Sequence, residues 1–261
     1  MKKQNILVLS DLKDSTNSTL KSAVSIAKMI NGNIDLLHAK KPIDVVTKES
    51  QLSAIRTLNK DSIETSKKIK NIIDPTAKEY GLTINYKFSV GNLKNEVEQY
   101  IEEKSPDVIV LGKQKKSPFN LLNNNVTDFI INKFNGTVFI IQDKNELEPS
   151  KPISLGVLNS GKSFLTSKAT KNIATHIVKP IVSFNLFKNK EEASVLKNNL
   201  DKEDVSYVFE KNSNTIKNLA SYLVKNKTHL LHINRKDNKE YLTKTDIKTA
   251  INKLNVSLVL T

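Results

Sequence analysis

Residues 156–163, Gly156-Val157-Leu158-Asn159-Ser160-Gly161-Lys162-Ser163, fit the glycine, four residues, glycine, lysine, serine pattern of a phosphate-binding loop letter for letter. In such a loop the backbone amides cradle phosphates and the lysine reaches the outer phosphoryl groups. The surroundings argue against that use: Val157 and Leu158 continue an apolar run that reads as the end of a strand, and no later strand ends in an aspartate suited to hold magnesium. Gly161 then serves as a turn glycine. Asp11, in the turn Ser10-Asp11-Leu12-Lys13-Asp14-Ser15-Thr16, reads from its position as a turn or helix-cap aspartate. Lys113 and Lys115 follow an apolar run and are placed to attract an anion. The four histidines, His38, His176, His229 and His232, have no metal-ligand spacing. His229 and His232 are three apart on a predicted strand, which sends them to opposite faces, so structural roles are expected. There is no cysteine, so thiolate nucleophiles, thiolate metal sites and disulfides are excluded. Neither a Gly-x-Ser-x-Gly elbow nor a His-Glu-x-x-His pair occurs.

The elements that position these residues follow from periodicity. Ile6-Leu7-Val8-Leu9 suits a strand buried on both faces. Leu20, Ala23, Val24 and Ala27 then repeat at helical spacing up to an Asn31-Gly32 stop, and Ile34 to Ala39 is a second strand. Residues 51–80 form a long, mostly polar helical stretch, and Thr83 to Val90 alternates as a strand. A helix through Leu93, Val97, Tyr100 and Ile101, a strand Val108 to Leu111 ending at Gly112, a loop, a helix through Phe129, Ile130 and Phe134, and a strand Val138 to Ile141 complete the series. Alternation of this kind implies a parallel, doubly wound α/β sheet, with ligands beyond the carboxyl ends of the strands, at the loops after Leu9, Ala39 and Leu111.

After a polar, proline-containing linker from Gln142 to Pro152 the pattern restarts. Ile153 to Leu158 is a strand, Leu165, Ala169, Ile173 and Ile177 mark a helix, and Ile181 to Phe187 is a second strand. Only about a dozen helical residues near Lys190 to Asp201 precede the strand Val205 to Phe209. Internal repetition supports the restart. Ile131-Asn132-Lys133-Phe134-Asn135 before Val138 to Ile141 parallels Ile251-Asn252-Lys253-Leu254-Asn255 before Val256 to Leu260. Val97 to Ile101 leading to Asp107 to Gly112 likewise parallels Leu219 to Leu223 leading to His229 to Asn234. The expected architecture is therefore α/β: two doubly wound, Rossmann-like parallel-sheet domains in tandem, residues 1–145 and 151–261, the second shortened. The strands Val138 to Ile141 and Val256 to Leu260 are expected to pair within the chain across a pseudo-twofold axis, since two open apolar edges invite aggregation.

The net charge is +14, but residues 1–145 hold 22 Lys and Arg against 16 Asp and Glu, and residues 146–261 hold 19 against 11. The excess is spread rather than clustered, and arginine occurs only at Arg56 and Arg235, so a lysine- and asparagine-rich habit explains it better than a nucleic-acid face. The run Ile6 to Leu9 is far short of a signal-peptide core of roughly 7 to 15 residues. No apolar run approaches the roughly 20 residues that a membrane-spanning helix needs. A cytoplasmic chain without a membrane or nucleic-acid partner is expected.

Several segments resemble the universal stress protein family: Ile6 to Asp11, Val90-Gly91-Asn92-Leu93, Pro106 to Gly112, and Val126-Thr127-Asp128-Phe129 running to Gly136 to Ile141. The resemblance covers most of residues 4–142 and, more weakly, 152–261. It implies a nucleotide station formed by Asp11, Ala39, Gly112, Lys115, Asn124, Asn125 and Val126, but in degenerate form. ATP-binding members have a glycine-rich loop after the fourth strand; this chain keeps Gly112, places Lys115 at the second glycine, and has Asn124-Asn125 where Gly-Ser would stand. A β-carbon obstructs close approach of amides to phosphates, though asparagine tolerates left-handed backbone and leaves the loop its path. In the second half the same stations read Asn159 and Asn234, which implies no nucleotide site there. The resemblance implies a stress-response regulator or binding protein that associates with a ligand, a second copy or a protein partner rather than turning over a substrate. No cofactor is expected beyond weak ATP. The alternatives are a nucleotide sensor or slow ATPase using the N-terminal loop or Gly161-Lys162-Ser163, and a basic nucleic-acid accessory protein.

Overall fold

The computed structural model describes residues 3–13, 15–41, 51–113, 121–159, 164, 167–188, 192, 205–235 and 242–261. The first part of the chain runs β1 (Gln4–Leu9), α1 (Ser15–Ile30), β2 (Gly32–Lys40), α2 (Gln51–Tyr80), β3 (Ile84–Val90), α3 (Leu93–Lys104), β4 (Val108–Gly112), α4 (Leu121–Lys133) and β5 (Thr137–Ile141). The second runs β6 (Ile153–Leu158), α5 (Lys168–Ala174), β7 (Ile177–Phe187), β8 (Val205–Glu210), α6 (Thr215–Lys225), β9 (Leu230–Ile233), α7 (Lys244–Lys253) and β10 (Ser257–Leu260).

All the strands join one sheet in the order β3-β2-β1-β4-β5-β10-β9-β6-β7-β8. Neighbours are parallel except at the centre, where β5 and β10 run antiparallel with Leu258 opposite Ile140, Val259 opposite Phe139 and Leu260 opposite Val138. The order reads the same from either end once β6 to β10 are matched to β1 to β5, so the sheet has an approximate twofold axis at the β5–β10 pair.

The apolar runs are long because both faces of the sheet are covered. On one face Leu7, Ile109, Val138, Ile140, Leu258 and Leu260 pack under apolar residues of α3, α4, α6 and α7. On the other, Ile6, Val8, Val110, Phe139 and Val259 pack under α1, α2 and α5. Each layer is continuous across the β5–β10 seam. Phe139, at its centre, is fully buried, and burial of such a side chain stabilises by about 1.5–3 kcal/mol.

Some boundaries differ from the sequence expectation. The helical spacing through Ile173 and Ile177 overruns the actual helix: α5 starts after its cap Ser167, whose hydroxyl accepts from Thr170 N, and ends at Ala174. Ile177 instead opens β7 opposite Ile153, with a register shift at Ser154 and Gly156. Two isoleucines four apart satisfied the helical period while one belonged to the sheet. At the end of α1 the left-handed residue is Asn31, at φ 53°, and Gly32 is already in β2. Leu165 and, apart from Glu192, the helix expected near Lys190 to Asp201 lie outside the described residues.

Candidate functional site

Between β1 and β4 the strand order reverses, so the loops following them leave in opposite directions and open a crevice beyond their carboxyl ends. A cleft of about 360 Å³ occupies that position, at the small end of the roughly 300–1,000 Å³ range of small-molecule sites. Leu9, Leu111, Val126 and Ile140 supply apolar lining, and the carboxylate of Asp11 and the imidazole of His38 supply polar groups. Ala39, Gly112 and Val126 line the cleft beside Asp11, so four of the seven residues singled out from the sequence come together. Lys115 lies outside the described residues. Asn124 and Asn125 belong to α4, so their tolerance of left-handed backbone has no use there; helical backbone displaces the loop that the spacing suggested.

Gly112 has a packing reason to be glycine. A β-carbon there would sit 2.5 Å from Thr19 Oγ1, and Thr19 is a buried residue of α1 whose hydroxyl donates to Ser15 O at 2.8 Å. Close approach of a helix to the end of β4 thus accounts for this glycine without any phosphate.

The turn after β1 is held from several sides. Ser10 Oγ accepts from Leu12 N at 3.0 Å and lies 3.1 Å from Thr16 Oγ1, while Leu12 adopts φ 55°. Asp11 Oδ1 accepts from Lys13 N at 3.1 Å, so the carboxylate caps the turn and lines the cleft at once. His38 Nδ1 donates to Ser10 O at 2.8 Å, and its ring stacks on Phe88 at 5.8 Å. Burial pulls the His38 pKa below its ordinary value, outweighing the bond to Ser10 and the charge of Asp11. The neutral imidazole therefore keeps its proton on Nδ1 and leaves Nε2 as an acceptor.

Four lysines border the cleft: Lys40, Lys41, Lys113 and Lys248. Lys40 pairs with Asp61 of α2 at 2.6 Å, Lys113 Nζ donates to Leu254 O at 2.5 Å, and Lys248 pairs with Asp128 at 2.7 Å. Sequence reasoning missed two contributors. His38 was read as structural although it is adjacent to Ala39 near the end of β2, just before a loop marked for inspection. The wall formed by Lys248, Ile251 and Asn252 of α7 arrives only through the β5–β10 pairing, which no local pattern announces.

The corresponding position in the second half is built differently. Gly156 lies inside β6, where a β-carbon would come within 2.8 Å of Phe184 Cε2, so the first glycine of the phosphate-loop pattern is a packing glycine in a strand. Asn159, at φ 48°, donates its backbone N–H to Phe184 O at 2.9 Å and accepts Leu186 N on its side chain at 2.6 Å. Residues 160–163 are outside the described set. Beyond β9, Arg235 reaches across the seam to the carboxyl end of α4: Nη1 donates to Ile131 O at 3.0 Å and Phe134 O at 2.9 Å, and Nη2 to Gly136 O at 2.6 Å.

His232 is fully buried, with Nε2 2.9 Å from Thr261 Oγ1, and burial lowers its pKa to about 4. His229 Nδ1 accepts from Ser154 N at 3.1 Å, and His176 Nδ1 lies 3.0 Å from Thr175 Oγ1. Among the described residues no group of histidines and carboxylates is arranged to hold a metal ion.

A family model described as the universal stress protein family matches residues 3–142. No curated protein matches the chain. Among solved structures, a universal stress protein from Archaeoglobus fulgidus is 10% identical, with 98% of this chain and 95% of that chain covered and a TM-score of 0.66. A functionally unknown protein from Pseudomonas aeruginosa is also 10% identical, covering 99% of this chain and 92% of its own at a TM-score of 0.63. A universal stress protein from Lactobacillus plantarum is 20% identical over 54% of this chain and 99% of its own, with a TM-score of 0.45.

Proposed function

The chain belongs to the universal stress protein family, and from that premise we propose that it is a non-catalytic stress-response binding protein whose N-terminal cleft takes a small anionic ligand. The observation that carries this reading is the cleft itself: about 360 Å³ at the reversal of strand order, with apolar lining, acceptors at Asp11 and His38, and lysines around it. That combination fits a compact ligand with a flat or apolar body, hydrogen-bond donors on one side and negative charge on the other. Two polar groups lining the cleft are committed elsewhere, Ser10 Oγ within its turn and His38 Nδ1 on a carbonyl, which favours binding over a Ser10–His38 nucleophile pair.

Residues 1–145 and 151–261 are read as two domains of the same ancestry, and the palindromic strand order with the β5–β10 seam supports that reading. In it the second domain pairs with the first in place of a second copy. ATP is a weak ligand at best, because Lys115 and helical Asn124 and Asn125 stand where small residues would let amides meet phosphates. Among the described residues no helix is long and apolar enough to cross a membrane, and the cytoplasm is the compartment this reading assigns.

A thermal-shift screen of small anionic metabolites tests the proposal, with the cleft-filling variant Ala39→Trp as control. At least one compound should raise the melting temperature of the natural protein and not of the variant. If no compound stabilises the protein, or if stabilisers act equally on both, the proposal is wrong.

A further inference from the structure

The internal repeat aligns Ile131-Asn132-Lys133 with Ile251-Asn252-Lys253, which makes Asp128 of α4 the counterpart of Lys248 of α7. These two counterparts meet at 2.7 Å. In a sheet whose strand order is palindromic about the β5–β10 seam, counterparts that touch each other lie at the pseudo-twofold axis. Two identical chains would set like against like at that point; here one carboxylate faces one ammonium. Both residues also line the N-terminal cleft, together with Ile251 and Asn252. Half of the Lys248 side chain is solvent-exposed (49%), so its ammonium is accessible as well as paired.

We propose that Lys248 is an anion-recognising residue of the N-terminal cleft, supplied by the half whose own crevice is rebuilt around Asn159, and that Asp128 holds it at the cleft until an anionic ligand takes its place. The proposal rests on the reading of the cleft as a site for small anions and adds to it where part of the charge comes from. An exposed ion pair of this kind is worth little in water, so exchanging a carboxylate on α4 for an anionic group of the ligand is nearly balanced and readily reversed. It also changes what holds α7 against α4, so occupancy of the cleft alters the seam between the halves. Lys113 acts alongside it: it extends from the residue after β4 in the same cleft to the carbonyl of Leu254, the residue that caps the carboxyl end of α7.

The sign of two substitutions separates this role from a structural one. Full-length protein is titrated with inorganic pyrophosphate at two fixed ionic strengths, following backbone amide chemical shifts, for the natural protein, Lys248→Met and Asp128→Asn. Lys248→Met should weaken binding about tenfold, the effect of ~1.4 kcal/mol, and should reduce its salt dependence. Asp128→Asn should tighten it several-fold, because the lysine is released and a competing negative charge removed. A pair that served only to join the helices would instead lower the melting temperature in both variants and move pyrophosphate affinity the same way in each, and that result overturns the proposal. If the natural protein binds and Lys248→Met binds within twofold of it, this inference fails while the cleft reading stands. If none of the three proteins shows saturable shifts around the cleft, this inference fails, and the cleft reading is decided separately by the thermal-shift screen.

Discussion

Replacing Arg235 with methionine keeps the apolar stem and removes the guanidinium that closes the carboxyl end of α4 from the other side of the seam. Three charge-assisted hydrogen bonds disappear, to Ile131 O, Phe134 O and Gly136 O. Each is worth about 1.5–3 kcal/mol when the donor is charged. Against that stands the cost of burying the guanidinium: burial lowers its pKa, and Nε is buried with no partner. The balance is a net loss of ~3 kcal/mol. Lys113→Met, at the corresponding position after β4, removes one bond to Leu254 O from an ammonium that is only part-buried, and solvent screening brings its cost down to about 1 kcal/mol. Arg235→Lys should recover only part of the loss, because an ammonium does not present the planar fork that serves three carbonyls. Urea denaturation followed by circular dichroism measures all three. If Arg235→Met is no more destabilising than Lys113→Met, or if Arg235→Lys equals the natural protein, the cross-seam cap is not what fastens α4.

His232 should make stability depend on pH. Its folded pKa of about 4 lies below the ordinary 6.5, so the unfolded chain takes up the proton first; stability is full above pH 6.5 and falls by up to ~3 kcal/mol as pH drops towards 4. Urea midpoints across that window should show the slope in the natural protein and not in His232→Leu. Gly112→Ala should destabilise by about 1–3 kcal/mol through its clash with Thr19 Oγ1, and Thr19→Ala in the same chain should restore most of it. If the double variant is as unstable as Gly112→Ala alone, the glycine serves some purpose other than packing against α1.

Much of the framework was legible because burial on both faces writes a strand as an unbroken apolar run. Ile6 to Leu9, Val108 to Leu111, Val138 to Ile141 and Ile153 to Leu158 all fall in observed strands. The site was half legible. Asp11, Ala39, Gly112 and Val126 sit where loops leave the carboxyl ends of strands or on the helix that follows, and topology alone sends attention there. His38 was discounted because its spacing was weighed against metal binding, whereas its role depends on a carbonyl 28 residues earlier. Lys248, Ile251 and Asn252 had no local signal at all, since they reach the cleft only when β10 pairs with β5. Ile177 was misplaced for the reverse reason: a local helical period was present, and pairing with Ile153 overrode it.

The N-terminal cleft, proposed as a ligand site, lacks in this proposal the amide row that holds a nucleoside triphosphate. Calorimetric titration of the full-length protein with magnesium-ATP tests it most directly. The dissociation constant should be roughly millimolar or weaker, worth about 4 kcal/mol or less. Micromolar binding that is abolished by Asp11→Asn would contradict it and make the protein a nucleotide sensor.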